Sequence, residues 1–255
     1  MVRVVVAGNS VALHVAPRRD ERDSGTYADH LRRRLEPLGG AVVNVACRSN
    51  LVDEDDLEFM ANCQRNDPDV VILQYGINEA APRILPRPLW MWLKGPQSFG
   101  IAKSVLRKVE GGLEPRLIRW GRAGGWIGPK RFEELLRYKI RIVLKESAAV
   151  PMVLNIGPTT PDLERVLPGV TASVHHYNEI MGRLCREEGA VLVDIHALVR
   201  EQGLSIQPDG VHLTAEGHRC VCDLLWERLR ERFPDLPPCL DRTLSDEATK
   251  ERGPG

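Results

Sequence analysis

The sequence predicts an α/β fold of the flavodoxin-like, doubly wound type, with three α/β/α layers built around a five-stranded parallel sheet in the order 2-1-3-4-5. Short apolar runs rich in β-branched residues alternate with longer amphipathic stretches, as expected for βα units around a buried parallel sheet. Five such runs occur. Of the two common doubly wound orders, 2-1-3-4-5 is the one that suits five strands.

The individual elements can be read from apolar spacing and from breakers. The predicted strands cover residues 2–7, 41–46, 69–74, 151–156 and 190–194. The predicted helices cover residues 26–38, 53–65, 131–147, 169–188 and 214–233. Gly39-Gly40 and Gly189 are expected to end two of these helices, and Thr214 is expected to cap the last one.

The chain length indicates one domain. A chain of 255 residues is long enough for one sizeable core and short for two, so we expect a single domain over residues 1–233 with an insertion at 81–130. Residues 234–255 lose the apolar period, and we expect them to form a partly disordered tail.

Composition excludes several classes of function. The 35 Lys and Arg residues balance 35 Asp and Glu residues, so net charge gives no indication of nucleic-acid binding. The sequence contains no stretch of ~18 apolar residues that could span a membrane, and its start does not resemble a secretory signal. We therefore expect a cytoplasmic protein. The six cysteines lack the spacing of metal ligands, so we expect reduced thiols and no metal site.

Polar residues follow three of the predicted strands. Ser10 comes just after the first strand, Ser49 just after the second and Asn78 just after the third. In the predicted order the first strand lies between the other two, so these loops are neighbours at the carboxyl edge of the sheet, where ligands bind in open α/β sheets. Asp209 precedes His212 by three residues in a turn that leads into the last helix.

These residue types together suit nucleophilic catalysis. A serine needs an adjacent base to become a nucleophile, His212 can serve as that base, and Asp209 can orient it. The amide of Asn78 and the backbone N–H groups of Ser10 and Ser49 are candidate donors to an oxyanion. Each residue also has an ordinary explanation, as a helix cap, a turn residue or a surface histidine. Their joint occurrence at strand ends favours the catalytic interpretation.

The motifs resemble the SGNH (GDSL-type) hydrolase superfamily. The matching segments are Gly8-Asn9-Ser10, Gly76-Ile77-Asn78-Glu79 and Asp209-Gly210-Val211-His212. The resemblance implies a serine nucleophile at Ser10 with Asp209 and His212, an oxyanion hole from Ser10, Ser49 and Asn78, and no cofactor. Two positions depart from the family pattern. Asn9 stands where an aspartate is usual, and Ser49 stands where a glycine is usual.

The 81–130 insertion is unusual in composition. It holds four of the five tryptophans, and residues 81–131 contain eleven Lys or Arg residues against two Glu residues. It can be a structural cap, or a lid whose Trp90, Trp92, Trp120 and Trp126 form an apolar wall while arginines receive an anionic group. Peripheral contact with an anionic membrane is a further option. His14, just after Ser10, is another candidate for substrate binding.

The sequence therefore predicts a cytoplasmic serine ester hydrolase that acts through an acyl-enzyme on a small or carrier-bound acyl ester. Two alternatives remain open at this stage. The same acyl-enzyme could transfer its acyl group to an acceptor other than water, which would make the protein an acyltransferase. The protein could also be a binding module that kept the fold without the activity.

Overall fold

A parallel sheet with the strand order β2-β1-β3-β4-β5 lies at the centre of the structure. The structure is a computed structural model and describes residues 1–13, 25–54, 56–94, 100, 104, 109–121 and 124–238. The strands are β1 (Arg3–Gly8), β2 (Ala41–Asn44), β3 (Val70–Gln74), β4 (Val150–Leu154) and β5 (Val191–Val193). Every pairing is parallel. The predicted fold class and strand order are confirmed.

Helices cover the sheet on both faces. They are α1 (Tyr27–Leu35), α2 (Asp56–Asn66), α3 (Ile77–Ala80), α4 (Arg87–Lys94), α5 (Glu114–Arg119), α6 (Pro129–Glu146), α7 (Pro161–Val166), α8 (Val170–Glu188), α9 (Ile195–Glu201) and α10 (Ala215–Arg232). Within the described ranges, no helix is both long enough and apolar enough to cross a membrane.

Alternate strand residues supply two apolar cores, one on each face of the sheet. Val5 of β1 faces the core formed with α2, α6 and α8, whereas Val4 and Val6 face the core formed with α1, α9 and α10. Both faces of the central strands are thus buried, which explains why these strands appear in the sequence as nearly continuous apolar runs. The arrangement leaves the carboxyl edge of the sheet to the loops.

Three strands, β2, β4 and β5, end earlier than the sequence predicts. β2 ends at Asn44, whose Oδ1 accepts a hydrogen bond from the N–H of Ala46 at 3.1 Å. After β4, the N–H of Ile156 donates to Oδ1 of Asn178 at 2.8 Å instead of continuing the ladder. Short polar side chains compete with the sheet for backbone partners, and apolar periodicity does not reveal this competition.

The first helix also differs from its predicted extent. It ends at Leu35 and tightens into a 3₁₀ turn, Glu36–Leu38, which contains Pro37. Proline has no N–H to donate to the preceding turn, so the regular helix stops there. The capping role predicted for Thr214 is present, since its hydroxyl accepts from the N–H of Gly217 at 3.2 Å.

Among the described residues, the short helices α3, α4, α5, α7 and α9 were not predicted from the sequence. The longest of them has eight residues, so each has too few turns to show a clear apolar period. Local signals mark three of them, because Pro88, Pro115 and Pro161 lie in the first turns of α4, α5 and α7. Such signals identify a helix start and say little about helix length.

The first residues after α10 pack against the second core, the one formed with α1, α9 and α10. Leu236 is buried, and the carbonyl of Pro237 accepts a hydrogen bond from the indole of Trp226 at 3.0 Å. Residues 239–255, the greater part of the predicted tail, lie outside the described residues.

Candidate active site

Ser10 lies in a sharp turn at the carboxyl end of the central strand β1. The N–H of Asn9 donates to the carbonyl of Gln74 in β3 at 3.1 Å, and the Asn9 side chain caps the 3₁₀ turn Ser10–Ala12. Gly8 makes this geometry possible, because a Cβ atom at that position would lie 2.2 Å from the carbonyl oxygen of Gln74. The close approach of β1 and β3 therefore fixes the backbone that carries Ser10.

Asp209 and His212 lie on a tight loop that faces Ser10. Oδ1 of Asp209 accepts hydrogen bonds from the N–H groups of Val211 and His212, both at 3.0 Å. Its Oδ2 lies 2.6 Å from Nδ1 of His212, and Nε2 of His212 lies 3.0 Å from Oγ of Ser10. A proton on Nδ1 leaves Nε2 free to accept the hydroxyl proton of Ser10. The three side chains form one continuous hydrogen-bonded chain.

The electrostatics of the loop keep Asp209 ionised. Burial opposes its charge, but hydrogen bonds from the His212 side chain and from the backbone N–H groups of His212 and Val211 outweigh this and lower the pKa of Asp209 to about 2. The carboxylate therefore stays negatively charged near neutral pH. It can orient the imidazole and stabilise the imidazolium that forms when His212 takes a proton.

The turn after β2 brings Ser49 and Asn50 beside the Ser10 turn. The N–H of Cys47 donates to the carbonyl of Gly8 at 3.1 Å, and the carbonyl of Asn50 accepts from Nδ2 of Asn78 at 3.0 Å. Ser49 has a φ of +57°, in the left-handed region that favours glycine. Ser49 thus adopts a glycine-like conformation at the position where the family usually has glycine.

Glu79 is buried directly behind Asn78 and joins two of these loops. Its Oε1 accepts from the N–H of Val52 at 2.7 Å, and its Oε2 accepts from the N–H of Gly76 at 2.8 Å. Burial raises the pKa of Glu79 to about 7, although hydrogen bonds from the backbone N–H groups of Glu79 itself, Val52 and Gly76 act in the opposite direction. Glu79 is a structural link between the turn after β2 and the start of α3.

Asn9, which replaces the usual aspartate, is almost fully buried beneath the Ser10 turn. Its Oδ1 accepts from the N–H of Val11 at 3.1 Å, while its Nδ2 has no hydrogen-bond partner among the described residues. Asn9 and Val11 line a cavity of about 20 Å³ together with Gly210 and Val211. A cavity of this size holds about one water molecule.

Comparison with known proteins identifies the family. The sequence model of the GDSL-like lipase/acylhydrolase family matches residues 6–220, which include Ser10, Asn78, Asp209 and His212. The chain belongs to this family. Comparison with curated protein sequences gives no match. As a member of the GDSL-like family, the protein is an ester hydrolase.

Solved structures share the fold at low sequence identity. The lipase/acylhydrolase from Enterococcus faecalis is 15% identical with a TM-score of 0.59, and the match covers 94% of this chain and 100% of that one. A mutant of the acetylxylan esterase Axe2 from Geobacillus stearothermophilus is 15% identical with a TM-score of 0.59, covering 89% and 94% of the two chains. TesA is 16% identical with a TM-score of 0.56, covering 90% and 98%.

The tryptophans of the 81–130 segment of this GDSL-like chain fall into two groups. Trp90 and Trp126 contact each other edge to face at 5.1 Å, and the Arg83 guanidinium lies within 6 Å of both rings. Trp92 and Trp120 are 49% and 74% exposed. The first pair therefore supports the segment from within. The second pair is available for contact with a ligand or a surface.

The other predicted site residues and histidines have mixed outcomes. His14 lies outside the described residues. His218 is buried, and its Nδ1 accepts from the N–H of Tyr27 at 3.3 Å. Nδ1 of His196 lies 3.1 Å from the carbonyl of Ile156, and its ring contacts that of His175. His218 and His196 thus have packing and hydrogen-bonding roles.

Sequence reasoning missed three residues that shape the site, namely Asn50, Glu79 and Arg87. Glu79 had a local signal, since a glutamate three residues after Gly76 suits the first turn of a helix. Asn50 and Arg87 had none, because their partners are far away in sequence. Their contacts became visible only once the loops were placed in space.

Proposed function

We propose that this GDSL-like ester hydrolase works through a covalent acyl-enzyme on Ser10. The main support for this proposal is the hydrogen-bonded chain from Ser10 Oγ to His212 Nε2 at 3.0 Å and from His212 Nδ1 to Asp209 Oδ2 at 2.6 Å. A nucleophile, a base within hydrogen-bond reach and a group that orients the base are the parts that serine ester hydrolysis needs.

Two chemical steps follow from this arrangement. In the first, Oγ of Ser10 attacks the ester carbonyl while Nε2 of His212 takes the hydroxyl proton and passes it to the departing alcohol. In the second, His212 takes a proton from water, the hydroxide attacks the acyl carbon, and the proton returns to Ser10 as the acid leaves. Atoms and charges balance without a cofactor, and Asp209 stabilises the imidazolium in both steps.

The oxyanion formed in each step requires donors that are already in position. We assign this role to the backbone N–H groups of Ser10 and Ser49 and to the side-chain amide of Asn78. The hydrogen bond of Asn78 to Asn50 uses one of its two amide hydrogens and leaves the other for the substrate. A donor of this kind typically contributes about 10²–10³-fold in rate.

We propose a small or carrier-bound acyl ester as the substrate. Support for a small acyl group comes from the acetylxylan esterase Axe2, which shares the fold. Support for a charged carrier comes from the 81–130 segment, in which Arg116 and Arg119 are exposed and lie close in sequence to the exposed Trp120. An aromatic face beside guanidinium groups suits a substrate that combines an apolar part with an anionic group.

Replacing Ser10 with alanine tests the proposed mechanism. We expect the S10A variant to lose at least about 10³-fold in hydrolysis of an aryl acetate and to lose labelling by a fluorophosphonate probe, because the attacking oxygen is gone. The exposed Ser205 supplies the matched control variant S205A. Aryl acetate hydrolysis by folded S10A at a wild-type rate would contradict the acyl-enzyme.

A further inference from the structure

Two side chains hold the turn after β2 at its middle. Nη2 of Arg87, from the 81–130 segment, donates to the carbonyl of Ser49 at 3.0 Å. The same guanidinium pairs with both carboxylate oxygens of Glu54. Oε2 of Glu54 also accepts from the N–H of Leu51 at 3.0 Å. The Arg87–Glu54 pair therefore holds the backbone on both sides of Asn50.

Asn50 connects the turn to the Asn78 amide and to the Ser10 turn. Its carbonyl accepts from the amide of Asn78 at 3.0 Å, so its position sets the direction of that amide. Its own amide lies 3.5 Å from the carbonyl of Gly8, next to the Ser10 turn. The preceding residue, Ser49, has the left-handed φ of +57°. Such a conformation is unfavourable for a serine and persists only where surrounding contacts hold it.

Arg87 itself is firmly supported by the segment that carries it. It is the first residue of α4, and its guanidinium lies 6.0 Å from the centre of the Trp126 ring. The indole N–H of Trp126 donates to the carbonyl of Leu85 at 3.1 Å, and Trp90 packs against the same ring. The Arg87 side chain is 22% exposed and its partner Glu54 is 31% exposed. The pair is thus partly shielded from water.

We propose that Arg87 is a positioning residue for the oxyanion hole. By anchoring the Ser49 carbonyl and the Glu54 carboxylate, it fixes the turn that presents the Ser49 N–H and orients the Asn78 amide. This inference rests on the proposed function, in which those two groups stabilise the oxyanion. It also gives the 81–130 segment a role in catalysis that no catalytic motif indicates.

The expected effect of losing Arg87 can be estimated from the donors it places. Removing one oxyanion donor outright costs about 10²–10³-fold in rate. Loosening two donors without removing either should lower kcat about 10- to 100-fold, and KM should change little because the ground-state ester does not use the hole fully. The R87K variant should lie between wild type and R87M. An ammonium group can pair with Glu54 but lacks the planar fork that also reaches Ser49.

The experiment compares R87M and R87K with the wild-type chain. The control variant R65M removes an exposed arginine from α2, which has no role in the proposed site. Aryl acetate hydrolysis gives kcat and KM, with kcat expressed per active site counted by complete fluorophosphonate labelling. The affinity of a trifluoromethyl ketone, whose adduct with Ser10 carries an oxyanion, is measured in parallel. This affinity should fall in R87M by about the same factor as kcat/KM, while R65M stays at wild-type values.

Three outcomes separate the possibilities. A wild-type kcat per active site in R87M, or an unchanged affinity for the ketone, overturns the positioning role. A purely structural role would lower the number of active sites or the melting temperature and leave kcat per site unchanged, which also overturns it. If R87M does not fold, R87K gives the same comparison. Activity retained by S10A would refute the proposed function itself, independently of Arg87.

Discussion

Replacing Glu79 with glutamine is expected to remove a pH-dependent part of the stability of the protein. Glu79 is fully buried, and burial raises its pKa from 4.5 to about 7. A folded-state pKa above the unfolded value means that the folded chain binds the proton more tightly. Glu79 therefore contributes stability that is fully present below about pH 4.5 and is lost as the pH rises towards 7.

The size of the effect follows from the shift. Each pKa unit corresponds to about 1.4 kcal/mol, so a rise from 4.5 to about 7 changes the free energy of unfolding by about 3 kcal/mol across that interval. The E79Q variant has no carboxyl group to titrate at this position. The stability of wild type relative to E79Q should fall by this amount between pH 4.5 and 7 and level off above pH 7.

Urea unfolding at half-unit pH steps from 4.5 to 8 measures this difference, with two-state behaviour checked by two probes. E58Q, which removes an exposed carboxylate from α2, controls for the change in net charge. If the free energies of unfolding of wild type and E79Q differed by the same amount at every pH, the reasoning would be refuted. If E79Q does not fold, the carboxyl carbon of Glu79 in the wild-type chain, followed by NMR, should titrate near pH 7. Titration near pH 4.5 would refute the claim equally.

Two further predictions concern the catalytic loop and the Ser10 turn. D209N should lower kcat for aryl acetate hydrolysis about 10³–10⁴-fold with little change in KM, because an amide cannot stabilise the imidazolium of His212. A loss of kcat below tenfold would argue against the role of Asp209. G8A should lower the free energy of unfolding by roughly 2–3 kcal/mol or more, since its new methyl group would lie 2.2 Å from the Gln74 carbonyl. Urea unfolding of G8A with a midpoint equal to wild type would show that the strands can separate at no cost.

The sequence was sufficient for the sheet order and for the three side chains that the structure joins in one hydrogen-bonded chain. Buried parallel strands appear as short apolar runs, Ser10 and Asn78 follow two of these runs, and Asp209 and His212 lie in a turn that leads into the last helix. Strand ends were harder to predict, because after β4 the N–H of Ile156 donates to Asn178 instead of continuing the ladder. Such competition depends on local geometry that apolar spacing does not record.

The contacts that hold the turn after β2 were beyond sequence reasoning for a different reason. The partners Arg87 and Ser49 are 38 residues apart, and Glu54 and Arg87 are 33 apart. No spacing rule links residues at such distances. Trp90 and Trp126 show the same limit. Their composition indicated an apolar surface, but only the structure shows that they pack on each other beside Arg83.

The hydrogen bond between Ser10 and His212 joins residues that are 202 positions apart in the chain. Ser10 follows the first strand, whereas the loop of His212 leads into α10, which packs on α1 through the second core. In the proposed mechanism, a nascent chain therefore carries no working nucleophile until nearly all of the described fold has been synthesised and closed. Hydrolytic activity would then report long-range folding, so recovery of activity after dilution from denaturant would time the closure of the last helix onto the sheet.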